Sequence, residues 1–186
     1  MPVDDILLEA EDKMQKTEHV LQNELAGVRT GKASPALVEN ILVEAYGVQM
    51  RLREMAGISV PEPRMLVVQP WDLGNLSHVE KAIQKANIGL SPRVEGKLIR
   101  LVLPQLSEQR RQEFVKMARK MAEDGRVAVR HERRDALLQL KEESKSGVIT
   151  EDEQAHGDKE IQQLTDTYTK KIDEHLERKE KEIMTV

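Results

Sequence analysis

Few residues in this chain have the types and spacing that support chemistry. His19, His78, His131, His156 and His175 are scattered, none at the i, i+4 spacing that presents two imidazoles to one metal, and each reads as a surface residue. There is no cysteine, which excludes disulfides, thiolate metal sites and cysteine nucleophiles. The stretch nearest to a phosphate-binding loop is Gly89 to Lys97. Six residues separate Gly89 from Gly96-Lys97 where four are needed, and Leu98 follows where Ser or Thr should hold magnesium, so it reads as a loop before a strand. The acidic run Glu151-Asp152-Glu153 is explained by the favourable interaction of acids with a helix N-terminus. With no set of nucleophile, base and orienter, the expectation is a protein that is not an enzyme, with no catalytic residue, metal, cofactor or small-molecule substrate.

The positive signal is cationic. At about 100° per residue, Lys116, Arg119, Arg126, Arg130, Arg133 and Arg134 fall within roughly 100° of one side of a helix, interrupted by Glu123 and Leu137. Arginine forks onto phosphate and stacks on bases, so an arginine-rich face fits RNA. The pattern fits equally a charged exterior laced by local links such as Arg119 to Glu123. Aromatic residues make up only 2% of the chain, which argues against readers that stack single-stranded bases. Any RNA target is therefore expected to be structured and held by its backbone.

Bulk composition limits the scaffold that positions these residues. Charged residues are 33% of the 186, and Trp71, Phe114, Tyr46 and Tyr168 are the whole aromatic set, so the core must be aliphatic, as suits long solvated helices. Net charge is −4, yet residues 110 to 134 carry 9 basic against 4 acidic groups. One face can thus meet a polyanion while the acidic remainder limits indiscriminate sticking. No apolar stretch approaches the roughly 20 residues of a membrane span, and Met1-Pro2-Val3-Asp4-Asp5 lacks the features of a signal peptide, so a cytoplasmic protein is expected.

The hydrophobic period divides the chain. From Val3 to Val28, Leu7, Ala10, Met14, Leu21, Leu25 and Val28 mark one helical face, which stops near Gly31 and Pro35. Alternation then predicts a hairpin about Tyr46-Gly47, with Ile41, Val43 and Ala45 in one strand and Val48, Met50 and Leu52 in the other. A strand at Met65–Val68, a short helix at Leu76–Ala86 and a strand at Leu98–Leu103 follow, punctuated by prolines at 61, 63, 70, 92 and 104. Helical period returns from Ser107, a candidate cap, to Ser146-Gly147, with Val115, Ala118, Ala122, Val129, Ala136 and Leu140 on one stripe and Gly125 in register. Thr150 with Glu153 is a capping box that opens a last helix carrying Ile161, Leu164, Tyr168, Ile172, Leu176 and Ile183.

The predicted class is α+β, mainly α: an elongated antiparallel three-helix bundle (1–30 plus 105–186) with a small inserted α/β, β-rich domain (31–104), L-shaped overall. In an up-down-up bundle both junctions, Thr30-Gly31 and Pro104-Gln105, lie at one end and form a paired hinge. Arg130 and Arg133 are then roughly 35 to 40 Å from that end.

Longer segments carry a resemblance. Val28-Arg29-Thr30-Gly31-Lys32-Ala33-Ser34-Pro35, Val43-Glu44-Ala45-Tyr46-Gly47, Val68-Gln69-Pro70-Trp71-Asp72, Leu106-Ser107-Glu108-Gln109-Arg110-Arg111 and Val127-Ala128-Val129-Arg130-His131-Glu132-Arg133-Arg134 follow in the order seen in bacterial ribosome recycling factors. The chain resembles that family from end to end. The resemblance implies a monomeric factor shaped somewhat like a transfer RNA. Such a factor binds the post-termination ribosome through large-subunit RNA and, with elongation factor G and that partner's GTP, splits it into subunits and releases mRNA and tRNA. It also implies that Arg29, Arg111, Arg130 and Arg133, with Arg134 adjacent, contact RNA, and that the α/β domain swings about the hinge to meet the other factor. Lys32, where Arg is usual, and His131-Glu132, where Asn and an aliphatic residue are usual, depart from the pattern. The charge of Glu132 is expected to offset part of the neighbouring arginines. The rival reading is a chaperone-like bundle that clasps another protein; RNA binding should weaken steeply with salt, an apolar clasp should not.

Overall fold

Helix α1 spans Val3–Ala26 and buries Ile6, Ala10, Met14, Leu21 and Leu25, the stripe that a 3.6-residue period puts on one side. It ends two residues before the predicted Val28. Gly27 is a poor helix former, and the Gly27 and Val28 amides bond the Glu24 and Leu25 carbonyls in a tightened last turn. The structure is a computed structural model and describes residues 2–185.

The chain divides into two compact units, Met1–Thr30 with Glu108–Val186, and Gly31–Ser107. In the first, α3 spans Glu108–Lys145 and α4 spans Glu151–Met184. Helix α3 ends in a Schellman arrangement. Gly147 at φ +75° turns the chain, while the Val148 and Gly147 amides bond the Glu143 and Ser144 carbonyls. Two residues later Thr150 caps α4: its hydroxyl accepts from the Glu153 amide at 3.2 Å and its own amide donates to the Glu153 carboxylate at 2.7 Å. The Thr150 amide and the Thr150 hydroxyl, 3.1 Å from the same carboxylate oxygen, hold the Glu153 carboxyl below the usual carboxylate range.

Two layers of contacts fix the helix directions. Ile6 and Ala10 cluster with Leu140 and Ile161, whereas Leu21 and Leu25 cluster with Val115, Ala122 and Ile172. Hence α1 and α4 run parallel, with α3 antiparallel to both. The C-terminal end of α1 and the N-terminal end of α3 share one cluster, so the chain leaves and re-enters the bundle at the same end.

In the second unit β1 (Leu42–Ala45) and β2 (Val48–Arg51) form the predicted hairpin, closed by Tyr46 and Gly47 at φ +53° and +75°. The pair of positive φ values is the two-residue turn that matches strand twist. The Tyr46 hydroxyl donates to Asp72 and accepts from Asn75 at 3.1 Å, which fixes the turn against the following segment. Val43 and Ala45 are buried as expected, but Val48 is 56% exposed because it stands at the hairpin tip, beyond the core.

Four strands, β3 (Ala56–Glu62), β4 (Met65–Pro70), β5 (Pro92–Glu95) and β6 (Leu98–Val102), make an antiparallel sheet in the order β3-β4-β6-β5. Leu66, Val68, Ile99 and Leu101 of its central strands pack with Val79 and Ile83 of α2 (Leu76–Lys85). Sequence reading finds β4 and β6 and misses β3 and β5, and it takes the stretch containing β5 for a loop. Both missed strands are sheet edges with mostly exposed residues, so no alternation marks them. Pro61 and Pro92, read as punctuation, are tolerated there because an edge amide needs no partner, and the β3–β4 register shifts between Ser59 and Glu62.

Candidate RNA-binding face

The five arginines of α3 between residues 119 and 134 divide into two groups by their partners. Every seventh one turns toward α4. Arg119 pairs with Glu180, Arg126 bonds Asp173 at 2.8 Å, and Arg133 donates to Gln162 at 3.3 Å. A step of seven keeps a side chain on the same seam of two packed helices, and these three stitch that seam. Arg126 is only 23% exposed, with Glu123 as a second partner. The local link expected from Arg119 to Glu123 is therefore not formed; Glu123 serves Arg126 and Arg130 instead.

The second group faces outward. Arg130 is 54% exposed and reaches back to Glu123 at 2.8 Å. Arg134 is exposed and has no ion-pair partner among the described residues. Together with Val127, His131, Arg133, Leu137, Leu138 and Lys141 they line an open groove of about 550 Å³. Val127 and Leu138 are 51% and 49% exposed, so the groove mixes cationic heads with apolar surface that bases or sugars can cover. Lys141 and Leu138 were not singled out from sequence, although the spacing 127, 131, 134, 138, 141 traces one stripe of a helix.

The other two predicted contacts lie elsewhere on the bundle. Arg111 is half-buried near the start of α3, 19 residues before Arg130, about 28 Å at the helical rise. Arg29 is exposed just beyond α1, at that same end of the bundle. Of the predicted hinge residues, Thr30 closes the first unit's opening segment and Gly31, at φ +78°, begins the second. Pro104 and Gln105 fall within the second unit, which runs to Ser107. The five histidines are not all on the surface. His175 is 13% exposed and meets Glu18 of α1 at 3.0 Å, while His19, His78, His131 and His156 are exposed. No group of acidic or histidine side chains that could hold a metal occurs among the described residues.

Glu132 turns away from the arginines. Its Oε1 accepts from Thr17 of α1 at 2.7 Å, and its Oε2 is buried without a hydrogen-bond partner among the described residues. Burial pushes its carboxyl above the usual range, partly offset by the Thr17 bond and by Lys13. Because the folded chain binds this proton more tightly than the unfolded one, its contribution to stability falls as pH rises through the carboxylate range. Glu132→Leu should therefore stabilise the protein by about 1 kcal/mol at pH 7, by removing an incompletely satisfied buried charge. The gain should vanish near pH ~4, where the carboxyl is protonated. Urea unfolding at the two pH values measures this; a loss of stability at pH 7 would show that the charge is fully compensated.

The sequence profile of the ribosome recycling factor family matches residues 21–184. This chain belongs to the ribosome recycling factor family. The ribosome-recycling factor of Carboxydothermus hydrogenoformans is 51% identical over 184 residues, covering 99% of this chain and 100% of the relative. That of Rhodopseudomonas palustris is 51% identical over 178 residues, covering 96% and 95%. Among solved structures, a ribosome recycling factor in solution matches at TM-score 0.80 and 42% identity over 100% of this chain and 99% of that one. A second match has TM-score 0.66 and 42% identity, covering 99% of this chain and 100% of the other. It is the Thermus thermophilus (T. thermophilus) ribosome recycling factor in models with Escherichia coli (E. coli) elongation factor G bound to the E. coli post-termination complex. The fold expected of a family member, helices plus a small antiparallel-sheet unit, is the fold observed. No helix among the described residues is long and apolar enough to cross a membrane.

Proposed function

We propose that this family member binds the post-termination ribosome and, with elongation factor G hydrolysing GTP, splits it into subunits and frees mRNA and tRNA. The near full-length likeness to ribosome recycling factors, one of them described in models with elongation factor G bound to a post-termination complex, carries the reading. It acts as a monomer in the cytoplasm and performs no catalysis itself; the nucleotide belongs to the partner.

Arg130, Arg133 and Arg134 meet backbone phosphates of large-subunit RNA, since guanidinium forks at a helix surface match phosphate oxygens. Arg29 and Arg111 form a second contact at the other end of the bundle. Thr30-Gly31 and Pro104-Gln105 let the Gly31–Ser107 unit reorient toward the partner. Gly31 supports this because, without a Cβ, its backbone can adopt either sign of φ at little cost, +78° here.

Light scattering of post-termination ribosomes tests the function. Splitting is expected only when this protein, elongation factor G and GTP are all present. Splitting without GTP, or none with all components, would refute it. A bundle that clasps protein through apolar surface would bind with little salt dependence, whereas phosphate contacts predict steep weakening as salt rises.

A further inference from the structure

We propose that Glu123 is a built-in competitor for the RNA face: its carboxylate holds the Arg130 guanidinium in the place of a backbone phosphate, and RNA must displace it to bind. The inference rests on reading Arg130 as an RNA contact.

Both oxygens of Glu123 are engaged, Oε1 with Arg130 Nη2 at 2.8 Å and Oε2 with Arg126 Nη1 at 2.9 Å. Seven residues separate Glu123 from Arg130, about 10 Å along the helix axis, so the arginine must lie back along α3 toward its N-terminus. That draws the guanidinium away from Arg134 and Lys141, which occupy the C-terminal part of the groove. A carboxylate and a phosphate compete for the same guanidinium fork. While Glu123 holds it, Arg130 is folded against its own helix.

The contact is built to be broken. Arg130 and Glu123 are 54% and 52% exposed, so water screens the pair and holds it weakly. Arg126 keeps Asp173 of α4 at 2.8 Å whatever happens to Arg130, so the α3–α4 seam survives the exchange. Glu123, left on Arg126, then no longer neutralises the cation that faces RNA. A single anion must overcome both the pair and the repulsion of Glu123. Several phosphates meeting Arg130, Arg134 and Lys141 together offset that cost, and on release the carboxylate recaptures Arg130.

Glu123→Gln in the full chain tests this by affinity for isolated large ribosomal subunits and for a generic A-form RNA duplex at fixed salt. The variant should bind large subunits roughly fivefold more tightly, and the duplex more tightly too. In an Arg130→Ala background the gain should disappear, because Glu123 acts through that arginine. Asp124→Asn removes the same charge one residue away, about 100° round the helix, and should give a smaller gain. Circular dichroism should show unchanged helicity. No gain from Glu123→Gln, a gain that persists without Arg130, or an equal gain from Asp124→Asn would each overturn the proposal while leaving the RNA face intact. If Arg130→Ala alone leaves large-subunit binding unchanged, the reading of Arg130 as an RNA contact fails, and this inference with it.

Discussion

Replacing Gly157 with valine should destabilise the helical unit by about 3 kcal/mol. A Cβ at Gly157 would lie 2.8 and 3.0 Å from the two methyls of Leu140 and 3.2 Å from Val3 Cγ1. Leu140 is fully buried and packs with Ile161 and Ile149, so it has no solvent to move into. Alanine at the same position gains about 1 kcal/mol of helix propensity against part of the same clash, so its net effect should be smaller. Valine adds two methyl groups and a stiff χ1 to that contact. Urea unfolding followed by circular dichroism measures the loss. Adding Leu140→Ala to Gly157→Val should cost less than the sum of the two single changes, since the truncation relieves the crowding of the valine and the valine fills part of the cavity left by the truncation. A Gly157→Val protein within about 0.5 kcal/mol of the parent would mean that the helices separate freely at this point.

Arg130→Ala combined with Arg134→Ala should weaken binding to large ribosomal subunits at least tenfold, roughly, and lower the salt dependence by about two phosphate contacts. Both side chains are exposed and neither crosses to α4, so melting temperature and helicity should stay as they are. Subunit splitting should then require correspondingly more protein. Arg119→Ala is the matched control for Arg134→Ala alone: each removes one positive charge from the same helix, but the Arg119 guanidinium is committed to Glu180. Equal losses from Arg119→Ala and from Arg134→Ala would show that only net charge matters and that the groove has no special role.

Where a single element dictates its own burial, the chain can be read from sequence. The stripes of α1, α3 and α4 are periodic because each helix has one dry side, and Thr150 with Glu153 marks a helix start through contacts three residues apart. The hairpin about Tyr46-Gly47 was legible for the same local reason. Edge strands β3 and β5 were not, since an edge exposed on both sides leaves no alternation to see.

The cationic arc shows the division most clearly. Sequence placed Lys116, Arg119, Arg126, Arg130, Arg133 and Arg134 on one side of a helix, because helical geometry alone does that. Which of them are available for RNA depends on residues 29 to 61 positions away in the chain. Glu180 and Asp173 claim Arg119 and Arg126, whereas Arg133, which gives one nitrogen to Gln162, lines the groove with Arg130 and Arg134. Likewise Glu132, adjacent in sequence to Arg133, faces Thr17 on another helix, 115 residues away. The close approach that makes Gly157 necessary is set by Leu140 on the antiparallel neighbour. Local sequence determined the elements and the arginine side of α3. Tertiary packing alone decided which arginines are structural and which are exposed, because ion pairs and steric contacts between helices follow distance in space.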